Sequence, residues 1–204
     1  KEKYITMSTA GGLVKKSKGK EYITNRTSVK AINLNKDDRV IDVRITDDNK
    51  EILLATHKGQ SIRFEENSIN DTGRNTQGSI GIKLKKNDYV VNSNLIEKNN
   101  LVISISTKGK GKRTPVEEYK IQNRNGLGLK TCGSKIHIMA GVITAHIYDY
   151  ILVVTDNERL IPVSVADITE TERAGNMYTI VNLEKDEEIS NVFKLPVYQE
   201  EFNE

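Results

Sequence analysis

Val102-Ile103-Ser104-Ile105-Ser106-Thr107-Lys108-Gly109-Lys110-Gly111-Lys112-Arg113 reads as two short strands around a tight turn. Apolar, largely β-branched residues lead into a small hydroxyl residue, a glycine punctuates, and the second run carries cations. The same unit stands at Ile5-Thr6-Met7-Ser8-Thr9-Ala10-Gly11-Gly12-Leu13-Val14-Lys15-Lys16 and at Ile52-Leu53-Leu54-Ala55-Thr56-His57-Lys58-Gly59-Gln60-Ser61-Ile62-Arg63-Phe64. A fourth copy is Ile151-Leu152-Val153-Val154-Thr155-Asp156-Asn157-Glu158-Arg159-Leu160-Ile161-Pro162. The turn residues Gly12, Gly59, Gly109 and Glu158 are 47, 50 and 49 residues apart. A second anchor, Arg26, Arg74, Arg124 and Arg173, follows those turns by 14, 15, 15 and 15 residues.

Each arginine opens a polar segment, and in three copies an apolar strand and an acidic turn follow. The pairs are 31–34 before Asp37-Asp38, 80–84 before Asn87-Asp88, and 178–183 before Asp186-Glu187. No stretch shows a sustained apolar stripe of helical period, so the chain is expected to be all-β. A strand-built period near 50 marks blades around an axis, and four of them fill the 204 residues as approximately 1–50, 51–100, 101–149 and 150–204. Tryptophan is absent, which argues against a WD40 propeller, and the kelch double glycine is missing.

Composition excludes several classes. The longest purely aliphatic stretch, 151–154, is far short of the roughly 20 residues of a membrane helix, and residues 1–20 hold no apolar signal core. Cys132 is the single cysteine and the three histidines are scattered, so neither a disulfide nor a zinc cluster is expected. A cytoplasmic location follows as an expectation. The start at Lys1 rather than Met reads as that of an excised fragment. Residues 156–204 carry four basic and twelve acidic side chains, net −8, which leaves +11 on residues 1–155. A basic body with an acidic end is the footprint of a polyanion binder, nucleic acid above all. The other reading is a solvated lysine-rich surface.

Two stretches now carry a resemblance. Gly109-Lys110-Gly111-Lys112-Arg113-Thr114-Pro115, with Glu118-Tyr119 and Gln122-Asn123-Arg124-Asn125-Gly126-Leu127-Gly128-Leu129-Lys130-Thr131, resembles the C-terminal domain of the bacterial DNA gyrase A protein, a relative of the topoisomerase IV domain. Residues 54–64, Gly73-Arg74 and 78–84 repeat the likeness. The resemblance implies a β-pinwheel, whose blades exchange strands and whose basic rim takes a bent DNA duplex. It implies a non-catalytic wrapping domain, with topoisomerase IV the alternative parent and a propeller-like protein-interaction platform the alternative role. The implied partners are double-stranded DNA, the rest of the gyrase A protein, and the gyrase B protein in an A2B2 holoenzyme, near the nucleoid. That parent is an ATP-dependent type II topoisomerase, an isomerase, which uses ATP and Mg2+ in other domains; no cofactor is expected in this chain. The family domain of this type carries six blades and a Gln-Arg-Arg-Gly-Gly-Lys-Gly box in its first. Residues 122–128 are only a diverged echo of that box, so these units resemble the later blades. The expectation is a fragment that binds and bends DNA but constrains little supercoiling.

The candidate DNA-contacting set is Lys15, Lys16, Arg26, Lys30, Arg63, Arg74, Lys108, Lys110, Lys112, Arg113, Arg124 and Lys130. Lys15, Lys16, Arg63, Lys110, Lys112 and Arg113 are expected exposed on one rim, matching the regular phosphates of a bent duplex. Pro162 breaks the series Lys16, Arg63, Arg113, so DNA is expected to leave the fourth unit. Two structural readings stand beside this one. Edge lysines guard outer strands from aggregation, and the repeated arginines clamp a neighbouring carbonyl or carboxylate.

No enzyme site is legible. Gly111-Lys112 is followed by Arg113, so no phosphate loop exists. His57, His137 and His146 have no nucleophile pattern, and Cys132 sits in a small-residue turn. Aromatic residues make up 5% of the chain and do not interleave with the cations, which favours duplex over single-strand binding.

Overall fold

A computed structural model describes residues 2–133 and 138–195. Each unit is built on an antiparallel hairpin: β1 (Tyr4–Thr9) with β2 (Leu13–Lys18), β4 (Glu51–Thr56) with β5 (Gln60–Glu65), β8 (Leu101–Ser106) with β9 (Lys110–Pro115), and β12 (Tyr150–Thr155) with β13 (Leu160–Ser164). The hydroxyl residue of the repeat closes the turn. Gly12 N donates to Thr9 O (3.0 Å), and Leu13 N donates to the Thr9 hydroxyl (3.2 Å). Thr56, Ser106 and Thr155 accept the same two bonds in their own units. The turn residue itself is left-handed, with φ of 83°, 77° and 75° at Gly12, Gly59 and Gly109 and 63° at Glu158. Glycine carries this conformation without steric cost. At Gly109 space enforces it as well, because a Cβ would lie 2.5 Å from Val181 O.

A long inner strand pairs on the other side of each hairpin's first strand. These strands are β3 (Val40–Thr46), β7 (Val90–Ile96), β11 (Met139–Ala145) and β15 (Ile189–Lys194). They line an axial cavity of about 830 Å³. The acidic turns have a local role here: Asp38 accepts from Gly11 N (2.7 Å) and Asp88 from Lys58 N (2.9 Å), tying each inner strand's entry to its hairpin tip.

The fourth strand of each sheet comes from the next unit. β6 (Ser79–Ile80) joins β2, β10 (Leu129–Lys130) joins β5, and β14 (Tyr178–Thr179) joins β9. This is the strand exchange of a β-pinwheel. The fourth sheet, β13-β12-β15, has three strands among the described residues. The ladders are shorter than the sequence suggests, and residues 31–34 form none. The reason is topological: 31–34 corresponds to 81–84, which lies just past an exchange strand and is in no ladder either, whereas β6, β10 and β14, the counterparts of 29–30, each pair on the unit before them.

Apolar cores lie between adjacent sheets. Val14 of the first unit packs with Ile52, Leu54, Ile62 and Ile82 of the second. Ile103, Ile105 and Ile143 of the third pack with Ile151, Val153, Val165 and Val192 of the fourth. Where inner strands meet edge-on, amide side chains replace a ladder. Asn92 Oδ1 accepts from Val142 N (2.8 Å), and Asn94 donates to Val142 O (2.9 Å) and accepts from Thr144 N (3.1 Å).

Candidate nucleic-acid interface

The structure corrects the expected rim. Lys15, Lys16 and Lys112 are buried, at 1%, 2% and 0% exposure. Their aliphatic stems pack inside the blade, and their ammonium groups meet protein acceptors. Lys112 Nζ donates to Glu172 O (2.7 Å), Arg173 O (2.6 Å) and Gly175 O (3.3 Å). Lys15 Nζ donates to Ser17 Oγ (2.7 Å) and Ala31 O (3.0 Å), and Lys16 pairs with Asp48. The irregular segments that carry the exchange strands leave carbonyls outside any ladder, and a three-donor ammonium satisfies them.

The arginines of the same row are half-buried and also engaged. Arg63 donates to Val116 O (2.8 Å) and Tyr119 O (3.1 Å) and pairs with Glu51. Arg113 donates to Val165 O (2.9 Å) and Ala166 O (2.6 Å) and pairs with Glu170 (3.2 Å). Each guanidinium therefore holds the 3-10 turn of the following unit, Val116–Glu118 or Val165–Asp167.

The second arginine series works in the opposite direction along the row. Arg74 donates to Lys30 O (2.9 Å), Arg124 to Ile80 O (2.9 Å), and Arg173 to Lys130 O. Each clamps the exchange segment of the unit before it, as the carbonyl-clamp reading of these residues anticipates. Arg26 is exposed, and its side chain makes no such bond among the described residues.

Of the remaining candidates, Lys30, Lys108 and Lys130 are exposed and Lys110 is half-exposed. Lys108 pairs with Glu188 (2.5 Å). Lys83 is exposed as well and was not in the set read from sequence; its amide donates to Gly126 O (2.8 Å) of the third unit. The exposed lysines sit at the exchange positions. Lys30 lies beside Arg74, Lys83 beside Gly126, Lys130 opposite Gln60, and Lys110 opposite Thr179. They mark the three successive junctions, and none of them lines the axial cavity. The clue to Lys83 was its place just past an exchange strand, which only the pairing of that strand makes visible.

Burial pushes the Lys112 ammonium down to about 8 from the ordinary 10.5. Between those values the unfolded chain holds a proton that the folded chain has released, so this residue adds stability as pH rises through that window. The expected result is a denaturant midpoint that gains on a Lys112→Met variant between about pH 7 and about pH 10. A difference that shrinks with rising pH would show that the folded state holds this proton more tightly.

Among the described residues, no group of three or more His, Cys, Asp or Glu side chains could hold a metal ion, and no helix is long and apolar enough to cross a membrane. His57 stacks on Tyr89 with ring centroids 4.6 Å apart, His146 faces Glu97, and Cys132 is buried. His137 lies outside the described residues.

Comparison with known proteins agrees with this architecture. The family model of the DNA gyrase C-terminal domain, described as a beta-propeller, matches residues 3–47, 50–96, 100–136 and 149–196. The chain belongs to the DNA gyrase C-terminal domain family. The DNA gyrase A protein of Haloquadratum walsbyi is 33% identical over 197 residues, covering 94% of this chain and 23% of that protein. Its Staphylococcus aureus equivalent is 31% identical over 208 residues, covering 100% of this chain and 24% of that one. A crystal structure of the C-terminal domain of DNA topoisomerase IV superposes with a TM-score of 0.90 at 29% identity, covering 95% of this chain and 62% of that one. A DNA gyrase A C-terminal domain shares the fold, with a TM-score of 0.83 at 22% identity over 96% of this chain and 66% of that one. The chain thus spans about a quarter of these gyrase A proteins and under two thirds of the solved topoisomerase IV domain. For a DNA gyrase C-terminal domain, the exchanged strands are the decisive feature, because they put the solvent-facing lysines on the outside of every junction.

Proposed function

We propose that this chain is the DNA-binding and DNA-bending part of a gyrase A protein, without a catalytic centre of its own. The observation that carries this reading is the outer perimeter: Lys30, Lys83, Lys130 and Lys110 stand at successive junctions, and none makes a side-chain ion pair among the described residues. Cations repeated along a curved edge neutralise successive phosphates of a duplex laid against it and hold the bend. Bending a 20–30 base-pair site by 40–90° costs on the order of 1–6 kcal/mol, which several phosphate contacts offset. The acidic fourth unit repels the duplex, so the DNA path covers the first three units. In the parent, this module would hold DNA beside the remainder of the gyrase A protein and the gyrase B protein, which supply the ATP- and Mg2+-dependent strand passage.

A salt titration tests this. The logarithm of the DNA association constant should fall linearly with the logarithm of salt, by about 0.9 per neutralised phosphate. Replacing Lys30, Lys83, Lys110 and Lys130 together by Gln should weaken binding equally for unrelated duplexes and flatten the slope by roughly 3 to 4 units. The fold should be unaffected, since these side chains make no ion pair among the described residues. An unchanged slope would place the duplex elsewhere, and loss confined to one DNA sequence would indicate base readout.

A further inference from the structure

The outer surface is polarised along the strand direction. The hairpin tips follow one another at one end of the row, because Val90 N, Met139 N and Ile189 N each donate to the tip of the preceding unit, at Ala10 O (2.9 Å), His57 O (2.8 Å) and Thr107 O (2.8 Å). The exchange strands pair only beside these tips, opposite Leu13, Gln60 and Lys110, the first residues of β2, β5 and β9. At the far end of the same outer strands the exposed charge is acidic. Glu65 closes β5, Glu117 and Glu118 follow β9, and Asp71 and Glu170 bridge to Lys16 and Arg113. Strands of six residues span about 17–20 Å, roughly twice the screening length of about 8–10 Å at ordinary salt, so the two ends present separate fields.

At the tip end, the segment 83–89 of the second unit leads from the perimeter to the inner strand across two tips. A Cβ on Gly12 would meet Leu84 Cγ at 3.3 Å, Asp88 accepts from Lys58 N (2.9 Å), and Lys58 Nζ donates to Lys86 O (2.8 Å). Lys83, Lys85 and Lys86 stand along this segment, all exposed. Asn87 takes the left-handed turn position that Asp37 holds in the first unit and Asp186 in the fourth. Arg39 joins them from the first unit, 5.8 Å from the centroid of the Tyr89 ring, which itself stacks on His57. The side chains of Arg39, Lys85 and Lys86 make no ion pair among the described residues. The fourth unit has the reverse character: Glu184 and Asp186 are exposed where the second has Lys85 and Asn87, and Glu188 engages Lys108.

We propose that the tip end of the first two units is a second contact surface for duplex DNA, with Arg39, Lys85 and Lys86 on its phosphate backbone. The duplex then lies over the tip-side edge of the perimeter, not along the middle of the outer strands. Cations at one end draw the backbone and carboxylates at the other repel it, so both favour the same displacement. Lys83 makes the two surfaces continuous, since it stands just past β6 and opens the tip segment. The inference rests on the duplex-binding reading and adds where the duplex lies.

Directed hydroxyl-radical cleavage tests it. An iron chelate is attached in turn to Lys86→Cys, Lys130→Cys and Glu117→Cys, Cys132 being buried, and the cuts in a bound, end-labelled duplex are mapped. Strong cleavage is expected from Lys86→Cys and Lys130→Cys, and little from Glu117→Cys. Cleavage from Lys130→Cys with none from Lys86→Cys, or with Glu117→Cys as strong as Lys86→Cys, would overturn the tip surface and leave the perimeter standing. Cleavage from Lys86→Cys with none from Lys130→Cys would overturn the perimeter and leave the tip surface. Silence from both would overturn both. Independently, Arg39→Gln, Lys85→Gln and Lys86→Gln together should flatten the salt slope of duplex binding by roughly 2 to 3 units, in addition to the effect of the perimeter substitutions, with the circular dichroism unchanged. An unchanged slope would overturn the inference and assign these cations to a partner other than DNA.

Discussion

Replacing Lys112 by methionine is expected to destabilise the chain by about 1–3 kcal/mol, since it removes a charged donor shared by three carbonyls and leaves Arg173 O without one, while Glu172 O and Gly175 O keep their bonds from Gly175 N and Gly133 N. The carbonyls concerned belong to Glu172, Arg173 and Gly175, and the ammonium that serves them is fully buried. For a chain of this length the melting temperature should fall by about 2–12 °C. The loss should begin locally, because the segment 172–175 leads into β14 and so anchors the fourth unit on β9. Thermal unfolding followed by circular dichroism checks the magnitude. Hydrogen exchange at Ile180 N, which donates to Gly109 O (2.9 Å), checks the place. The salt slope of DNA binding should not change. A variant as stable as the parent, with a slope lower by about one unit, would mean that the ammonium faces a phosphate after all.

Arg113→Ala should produce a loss of comparable size by releasing the same joint from its other side. Its side chain is 18% exposed, and the guanidinium satisfies Val165 O and Ala166 O while pairing with Glu170. Hydrogen bonds from a charged donor contribute about 1.5–3 kcal/mol, so a cost of about 2–3 kcal/mol is expected. Arg113→Lys should recover only part of it, because a single ammonium does not reproduce the fork that spans two carbonyls and a carboxylate. Faster hydrogen exchange at Val165 N and Ile168 N, with the first unit unaffected, would be the signature. DNA affinity that falls while these amides stay protected would assign Arg113 to the duplex instead.

These expectations reverse what the cation pattern suggests by itself, and the reason lies in sequence distance. Lys112 meets carbonyls 60, 61 and 63 residues away, and Arg63 reaches 53 and 56 residues to its acceptors. In an isolated hairpin the second strand is an edge, and cations there read as rim. Strand exchange turns that edge into an interior strand, and the cations become internal donors. Pro162 has the opposite history, since its break in the cation row marks a joint that is missing.

The repeated unit and its period are written in short-range chemistry. Hydroxyl residues and left-handed turn positions act through bonds spanning three or four residues, as between Thr9 and Gly12 or Leu13, so the hairpins are legible wherever those residues stand. Net charge is a sum over residues and needs no fold, which is why the basic body and acidic end were also legible. Which faces are covered is a different kind of fact, fixed when the units come together. Whether Lys15, Lys16 and Lys112 meet solvent depends on which later strand lies across them, and whether a segment such as 79–80 becomes a strand depends on the earlier unit it pairs with. Both are matters of long-range pairing, where the local residue pattern is the same whether the partner strand is present or not.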